Sequence, residues 1–433
     1  MKRYVVIIAL LFCFAVLHAQ DGTGVLPKDS VEACYRSAVE LFSAARYDDA
    51  AALLRKTADN GHADAQYDYG LCCFNGNGVP EDHAEAVTWF RKAAFQGLPE
   101  AQYTIGLCYE QGYGVDASDE YAVEWYMLAA AQGYAPAQSA LGVAYYNGSG
   151  VGQDYQVAAE WFRRAAEQGD ADAQSYLGTF YANGYAVEQD AYKAAVWYKK
   201  AADQGHAEGL YNLGYCYECG IGVDWNEGKA IQLYDRAASL GLAVAQYDLA
   251  RYYMERGRDG DDEVALEYLY AAVAQDYADA QYLLGQLLYE GRLMEQDYER
   301  AAKWFAMAAA QENADAQCDL GFCYLVGHGV TQNVTTAIRW FVKAAELGNV
   351  RAQHNIGVCY YEGLGLEQSY DDAVKWFALA TEQGFSDSEY YLGVCYNNGQ
   401  GVKKDRSVAV RLLRNAKKGG CKEAAEALKV LSE

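Results

Sequence analysis

The chain has 433 residues, 52% of them apolar, and a formal net charge of -24. So much apolar content excludes a disordered chain, and so acidic a balance excludes nucleic acid as a partner, because a phosphate backbone needs Lys and Arg to displace its counterions. Forty-two glycines and 39 tyrosines against 4 prolines point to a recurrent unit rather than to two or three unrelated domains.

At the N-terminus, Lys2 and Arg3 precede an apolar run from Tyr4 to Leu17 and a small residue at Ala19. This is the layout of a secretory signal peptide over residues 1–19, cut to leave Gln20 first. The run is too short for a membrane span and no second one follows, so the mature chain is expected to be exported, periplasmic or secreted, with no span of its own. Residues 20–30 read as a short linker. Residues 31–62 read as a helix pair with Leu41, Phe42, Tyr47, Ala50 and Leu53 but no Gly-x-Gly loop, and they look like a tetratricopeptide unit serving as an N-terminal cap.

Aligning the rest on one glycine exposes its organisation. Gly70, Gly106, Gly142, Gly178 and Gly214 are spaced by 36, as are Gly285, Gly321, Gly357 and Gly393, and Ala250 takes the slot between the two runs. Ten units therefore occupy residues 63–418. In the first, Ala63 to Phe74 has helical apolar spacing and forms a helix A. Asn75 to Glu81 breaks it, with Gly76 suited to a left-handed helix end. His83 to Ala94 forms an antiparallel helix B, with Ala86, Trp89, Phe90 and Ala93 on one side. A glycine inside helix A costs about 1 kcal/mol relative to Ala, so its recurrence needs a reason, and close approach of helix B supplies one. Tyrosines three residues after it (Tyr109, Tyr145, Tyr181) and tryptophans nineteen after it (Trp89, Trp125, Trp161) recur in nearly every unit and read as scaffold.

The loops after Ala250 (Glu255 to Asp262) and after Gly285 (Gly291 to Met294) lack Gly-x-Gly-Val. A local change of curvature is expected around residues 250–300. Residues 419–433 form a final helix whose polar side carries Lys422, Glu423, Glu426 and Lys429, as a C-terminal cap should.

The run Ala101, Gln102, Tyr103, Gly106, Tyr109, Gly112, Gly114, Val115, then Ala122, Trp125, Ala129, Ala130, Gln132 and Gly133, resembles the Sel-one-like repeat family, relatives of tetratricopeptide repeats with a longer loop inside each unit. The resemblance covers nearly all of the mature chain. It implies an all-α fold, a right-handed α/α superhelical solenoid of antiparallel helix pairs, whose bacterial members serve as adaptors in signalling, envelope regulation or host contact.

Eleven cysteines follow the signal segment, and export would allow disulfides. Cys72, Cys108, Cys216, Cys323, Cys359 and Cys395 share one slot two residues after the glycine, and helix B has none. Equivalent A-helix positions should lie roughly 8–10 Å apart, beyond disulfide reach, so free buried thiols are expected. Cys216 and Cys219 form the only C-x-x-C, at the end of a helix where the dipole disfavours a thiolate. The histidines are too scattered for zinc, and no hydrolase or phosphate-loop motif occurs, so no enzyme activity, metal or cofactor is expected.

In helical solenoids the A helices line the inner surface, so residues that vary from unit to unit there are the candidates for partner recognition. Two residues before the glycine stand Asp68, Thr104, Tyr176, Asn212, Asp248, Asp319, Asn355 and Tyr391; five after it stand Asn75, Gln111, Asn147, Asn183, Glu255, Glu290, Glu362 and Asn398. The rows are seven residues, two turns, apart and face the same way. Acidic and amide groups beside Tyr suit a basic or extended peptide, so a protein-binding scaffold is expected. A hydrolase of cell-wall-like substrates and a purely structural spacer are the alternatives.

Overall fold

A computed structural model describes residues 27–432. Among these residues the chain is entirely helical, with 23 helices joined by short turns, and no strand. The chain divides into two compact units, one up to Arg236 and one from Ala237 onward.

In the first unit the helices Lys28–Ser43 and Tyr47–Asp59 are followed by alternating A and B helices of 13 residues, beginning with Ala63–Asn75 and His83–Phe95. Lys28–Ser43 starts three residues ahead of the expected Val31, and its Ala38 and Leu41 share one core with Leu54, Ala65 and Tyr69. The signal peptide expected over residues 1–19 falls outside the described residues. In the second unit the same alternation runs from Ala243–Arg256 to Arg406–Lys418 and ends with Lys422–Ser432. That last helix seats Ala424 against Leu413 and Ala416 and leaves Lys422, Glu423, Glu426 and Lys429 exposed.

Local chemistry sets the boundaries. B helices start at Asp82, Ser118, Asp154 and Asp190 in the first unit and at Asp297, Asn333, Ser369 and Asp405 in the second, each side chain accepting a hydrogen bond from a backbone N–H two or three residues on. A helices end on a left-handed glycine, such as Gly76 at φ 70°.

The aligned glycine is explained by what presses on it. A Cβ on Gly142 would lie 2.5 Å from the Phe162 ring, and one on Gly285 2.7 Å from the Phe305 ring. The ring twenty residues on, beside the recurring tryptophan, is thus the deepest part of each unit, whereas Trp125, Trp161, Trp304 and Trp340 are only half-buried. Where the partner is aliphatic the slot relaxes. Leu413 stands 3.0 Å from the corresponding point on Gly393, and Ala250 shares its core with the fully buried Leu269.

A second device joins consecutive units, and the sequence pattern did not disclose it. In eight of the ten repeats the residue four before the aligned small residue is a buried glutamine, and in six of them its Nε2 donates to a carbonyl of the preceding B helix, as from Gln102 to Ala94 at 3.1 Å, whereas Gln281 donates to the Asp276 carboxylate. Its Oε1 accepts from the glutamine thirty residues on: Gln132 to Gln102 at 2.9 Å, Gln168 to Gln138 at 2.8 Å, and in the second unit Gln311 to Gln281 at 3.0 Å and Gln383 to Gln353 at 2.9 Å. The result is a ladder of satisfied buried amides. Gln317 breaks it, because Leu347 occupies its partner's place and its Oε1 has no hydrogen-bond partner.

The irregular region has two different loops. After Ala250 the helix runs on to Arg256, and the turn is tied by Asp261, buried, which accepts from the Arg256 guanidinium and from the backbone N–H of Arg258 at 2.9 Å. After Gly285, Leu293 adopts the left-handed conformation (φ 63°) that glycine takes in most other copies and Ala186 in one, at a cost in backbone strain.

Candidate functional site

The two variable rows are not equivalent. All eight residues five positions after the glycine (Asn75, Gln111, Asn147, Asn183, Glu255, Glu290, Glu362 and Asn398) are exposed, whereas all eight two positions before it (Asp68, Thr104, Tyr176, Asn212, Asp248, Asp319, Asn355 and Tyr391) are half-buried. Burial follows from what the inner row touches. Tyr35 donates to Asp68 at 2.9 Å, and the hydroxyls of Tyr67 and Thr104 pair at 3.2 Å. Tyr176 stacks on Phe162 with ring centroids 4.7 Å apart, and Tyr391 on Phe377 at 5.1 Å. Much of the inner row thus fastens repeats as well as facing outward. Burial raises the Asp68 carboxyl above the usual range, and the Tyr35 hydrogen bond opposes that rise.

In the second unit the structure brings three of the sixteen together. Glu290, Asp319 and Asn355 line one cavity of about 460 Å³, with Gln286, Tyr289, Phe305, Cys318, Phe322, Arg351, His354, Phe385 and Asp387. These residues come from the A helices Ala278–Glu290, Ala314–Val326, Val350–Glu362 and Ser386–Asn398 and their neighbours, so the cavity spans four successive units. The other thirteen lie outside it.

Arg351 is the centre of its polar wall. Its guanidinium pairs with Asp319 at 2.7 Å and Asp315 at 3.1 Å, and donates to the Tyr282 hydroxyl at 3.2 Å. That hydroxyl in turn donates to Asp319 at 2.8 Å and accepts from Gln286 at 2.7 Å. Burial, then the Asp319 charge, pushes the Tyr282 hydroxyl well above its ordinary range, so it stays a donor. Sequence reasoning missed Arg351, although a signal was present. Six residues before the glycine most units carry an acid (Asp64, Glu100, Asp172, Glu208, Asp279, Asp315, Asp387), and Arg351 alone reverses the sign.

One turn along the same helix stands His354, whose Nδ1 lies 2.9 Å from Ser388 Oγ. Burial lowers the His354 pKa, which favours a neutral imidazole. Ser388 is fully buried in the slot that eight other units fill with Ala and one with Gly, so the pair fixes the ring and presents no accessible nucleophile. Burial pushes the Cys318 thiol up to about 12 and leaves it protonated. Among the described residues no group of three His, Cys, Asp or Glu is placed to hold a metal ion.

The eleven described cysteines are free thiols, ten buried and Cys219 exposed at the last position of its A helix. No helix among the described residues is long and apolar enough to cross a membrane.

Comparison with known proteins places this architecture. The family model for the Sel1 repeat matches ten consecutive segments: 63–98, 99–134, 135–170, 171–206, 207–242, 243–277, 278–313, 314–349, 350–385 and 386–421. No curated protein matches the chain. A solved structure of a protective antigen present in uropathogenic Escherichia coli strains, displaying an SLR fold, is 33% identical with a TM-score of 0.66, over 92% of this chain and 86% of that one. A Sel1 repeat protein from Oxalobacter formigenes is 29% identical with a TM-score of 0.46, over 64% of this chain and 96% of that one.

Proposed function

Because this chain belongs to the Sel1 repeat family, helical scaffolds whose fold is generally used for protein–protein interaction, we propose that it is a non-catalytic scaffold that captures a peptide segment of a partner protein on its A helices. The cavity around Arg351 carries this reading. It has apolar rings for the stem of a side chain, fixed amide and hydroxyl groups for orientation, and an excess of carboxylates. Asp315 and Asp319 already neutralise Arg351, so Glu290 and Asp387, both exposed, supply uncompensated negative charge at the mouth. A segment bearing Lys or Arg fits, since its methylene stem would lie on Phe322 and Phe385 and its charge would meet the acids.

We place the protein outside the cytoplasm, periplasmic or secreted, on the Lys2, Arg3 and Tyr4–Leu17 pattern. That the Escherichia coli relative is a protective antigen supports this reading. N-terminal mass analysis of protein from the native host should find Gln20 first; a chain retaining residues 1–19 would refute export by cleavage.

Peptides selected from a random displayed library on the full chain should be enriched in Lys or Arg, and binding should weaken with salt. A synthetic peptide from that selection should lose at least about tenfold in affinity to the Glu290→Gln, Asp387→Asn double variant. Both residues are exposed, so the fold should persist. Enrichment without charge preference, or equal affinity for the variant, would overturn the assignment of this cavity.

A further inference from the structure

Two exposed aromatic residues in the first unit have no counterpart in the other repeats, and the fold brings them to one groove. Trp225 is 66% and Tyr192 69% exposed. Five residues after the left-handed glycine, where Trp225 stands, five other repeats carry glutamine. That glutamine locks its loop by donating to a carbonyl seven residues back, as from Gln153 to Tyr146 and from Gln189 to Ala182. Trp225 replaces this clamp with an outward-facing indole. Tyr192 sits in the first turn of its B helix, where other copies have polar or small residues such as Glu120, Glu299 and Thr335.

Their meeting is built into the repeat. The second glycine of the Gly-x-Gly loop, here Gly222, rests on the backbone of Ala191 and Tyr192, so closely that no side chain would fit. The loop bearing Trp225 is thereby pinned beside Tyr192, and the two line an open groove of about 710 Å³ with Tyr217, Asp224, Asn226 and Lys229. Lys229 covers the Tyr217 ring at 4.9 Å, whereas among the described residues neither Trp225 nor Tyr192 stacks on another ring.

We propose that this groove binds a neutral oligosaccharide, its pyranose faces laid on Trp225 and Tyr192. A pyranose has apolar C–H faces and a rim of hydroxyls, and the groove offers the matching pair of surfaces: two open aromatic faces and, around them, a carboxylate, an amide and an ammonium. Asp224 and Lys229 cancel in charge, in a chain that is otherwise strongly acidic, so a neutral ligand fits better than the cationic segment assigned to the second unit. A protein partner is disfavoured because a stable interface needs roughly 800 Å² per side with an apolar centre, and besides the two rings only Tyr217 and Val223 add apolar side-chain surface to a lining otherwise made of Asp224, Asn226, Lys229 and two glycines.

The other repeats supply conservative test variants. Trp225→Gln restores the residue found in five copies, and Tyr192→Glu that found in two, so both should fold. Calorimetric titration of the full chain with chitotetraose and with cellotetraose should show saturable binding to at least one, weakened about tenfold or more in each variant. No saturable binding of either sugar up to about 10 mM, or affinities unchanged in both variants, overturns the proposal. So does a sugar-independent loss of a protein partner on Trp225→Gln, which would assign the groove to protein docking. Glu290→Gln, Asp387→Asn should leave sugar binding intact, which separates this site from the peptide cavity.

Discussion

Gln317 and Leu347 form a mismatched pair. Gln317 Nε2 donates to the Ala309 carbonyl at 3.1 Å, but its Oε1 is buried without a donor because Leu347, 49% exposed, stands where seven aligned units have a glutamine bonded to this site. Leu347→Gln should therefore stabilise the protein by about 1 kcal/mol, read as a higher urea midpoint. The converse change, Gln383→Leu, orphans Gln353 and should cost about 1–2 kcal/mol. Opposite signs for two substitutions at one register would be hard to obtain from helix propensity alone.

Phe162 against Gly142 gives a second test. Gly142→Ala adds one methyl group in a helix, which propensity alone would favour, yet the ring leaves it no room. A loss of about 1–3 kcal/mol is expected. Phe162→Leu in the same chain should recover part of it, since Leu413 and Leu269 occupy the relaxed versions of this contact. Additive losses in a double-mutant cycle would mean that the ring is not what excludes the methyl.

The turn before residue 261 should respond to acid. The Arg256 guanidinium and the Arg258 N–H hold Asp261 at about 2, against roughly 3.9 in an unfolded chain. A depressed carboxyl stabilises the fold fully above the unfolded value, and that contribution is lost as pH falls through the folded one. Asp261→Asn should lower the melting temperature by about 2–4 °C at neutral pH. The gap should narrow below about pH 4 and close near pH 2. A gap independent of pH would assign the effect to packing instead.

Alkylation should separate the thiols. Within residues 27–432, native protein should take one label, at Cys219, and ten more after denaturation without reductant, as mass spectrometry would count. Burial pushes Cys72 up to about 12 and Cys108 up to about 11, so their silence should persist in mildly alkaline buffer. Missing labels in denaturant would reveal disulfides.

The repeat, its helix boundaries and its glycine register were legible because each is dictated locally. Gly76 ends a helix by its own conformation, and Asp82 starts one by its own side chain. The amide ladder was not, since Gln102 and Gln132 recur with the repeat but recurrence alone does not tell that one amide is buried and bonded to the other thirty residues on. The candidate site was half legible. Counting from the glycine finds which positions face outward, and so reaches Glu290, Asp319 and Asn355. It does not tell that Tyr67 and Thr104 bond across units, because that depends on the offset between neighbouring helix pairs. Arg351 and Trp225 stand out only when a column is read for its exception rather than for its rule.

The division between the two variable rows bears on how such a chain can change. Residues of the inner row, such as Asp68 and Asp319, bond to the neighbouring hairpin, so a replacement there must be matched next door. Asn75, Gln111 and Glu290 carry no comparable tie to an adjacent repeat. Drift at these outer positions leaves the stack intact, so duplicated copies can diverge in what they recognise long before they diverge in how they fold.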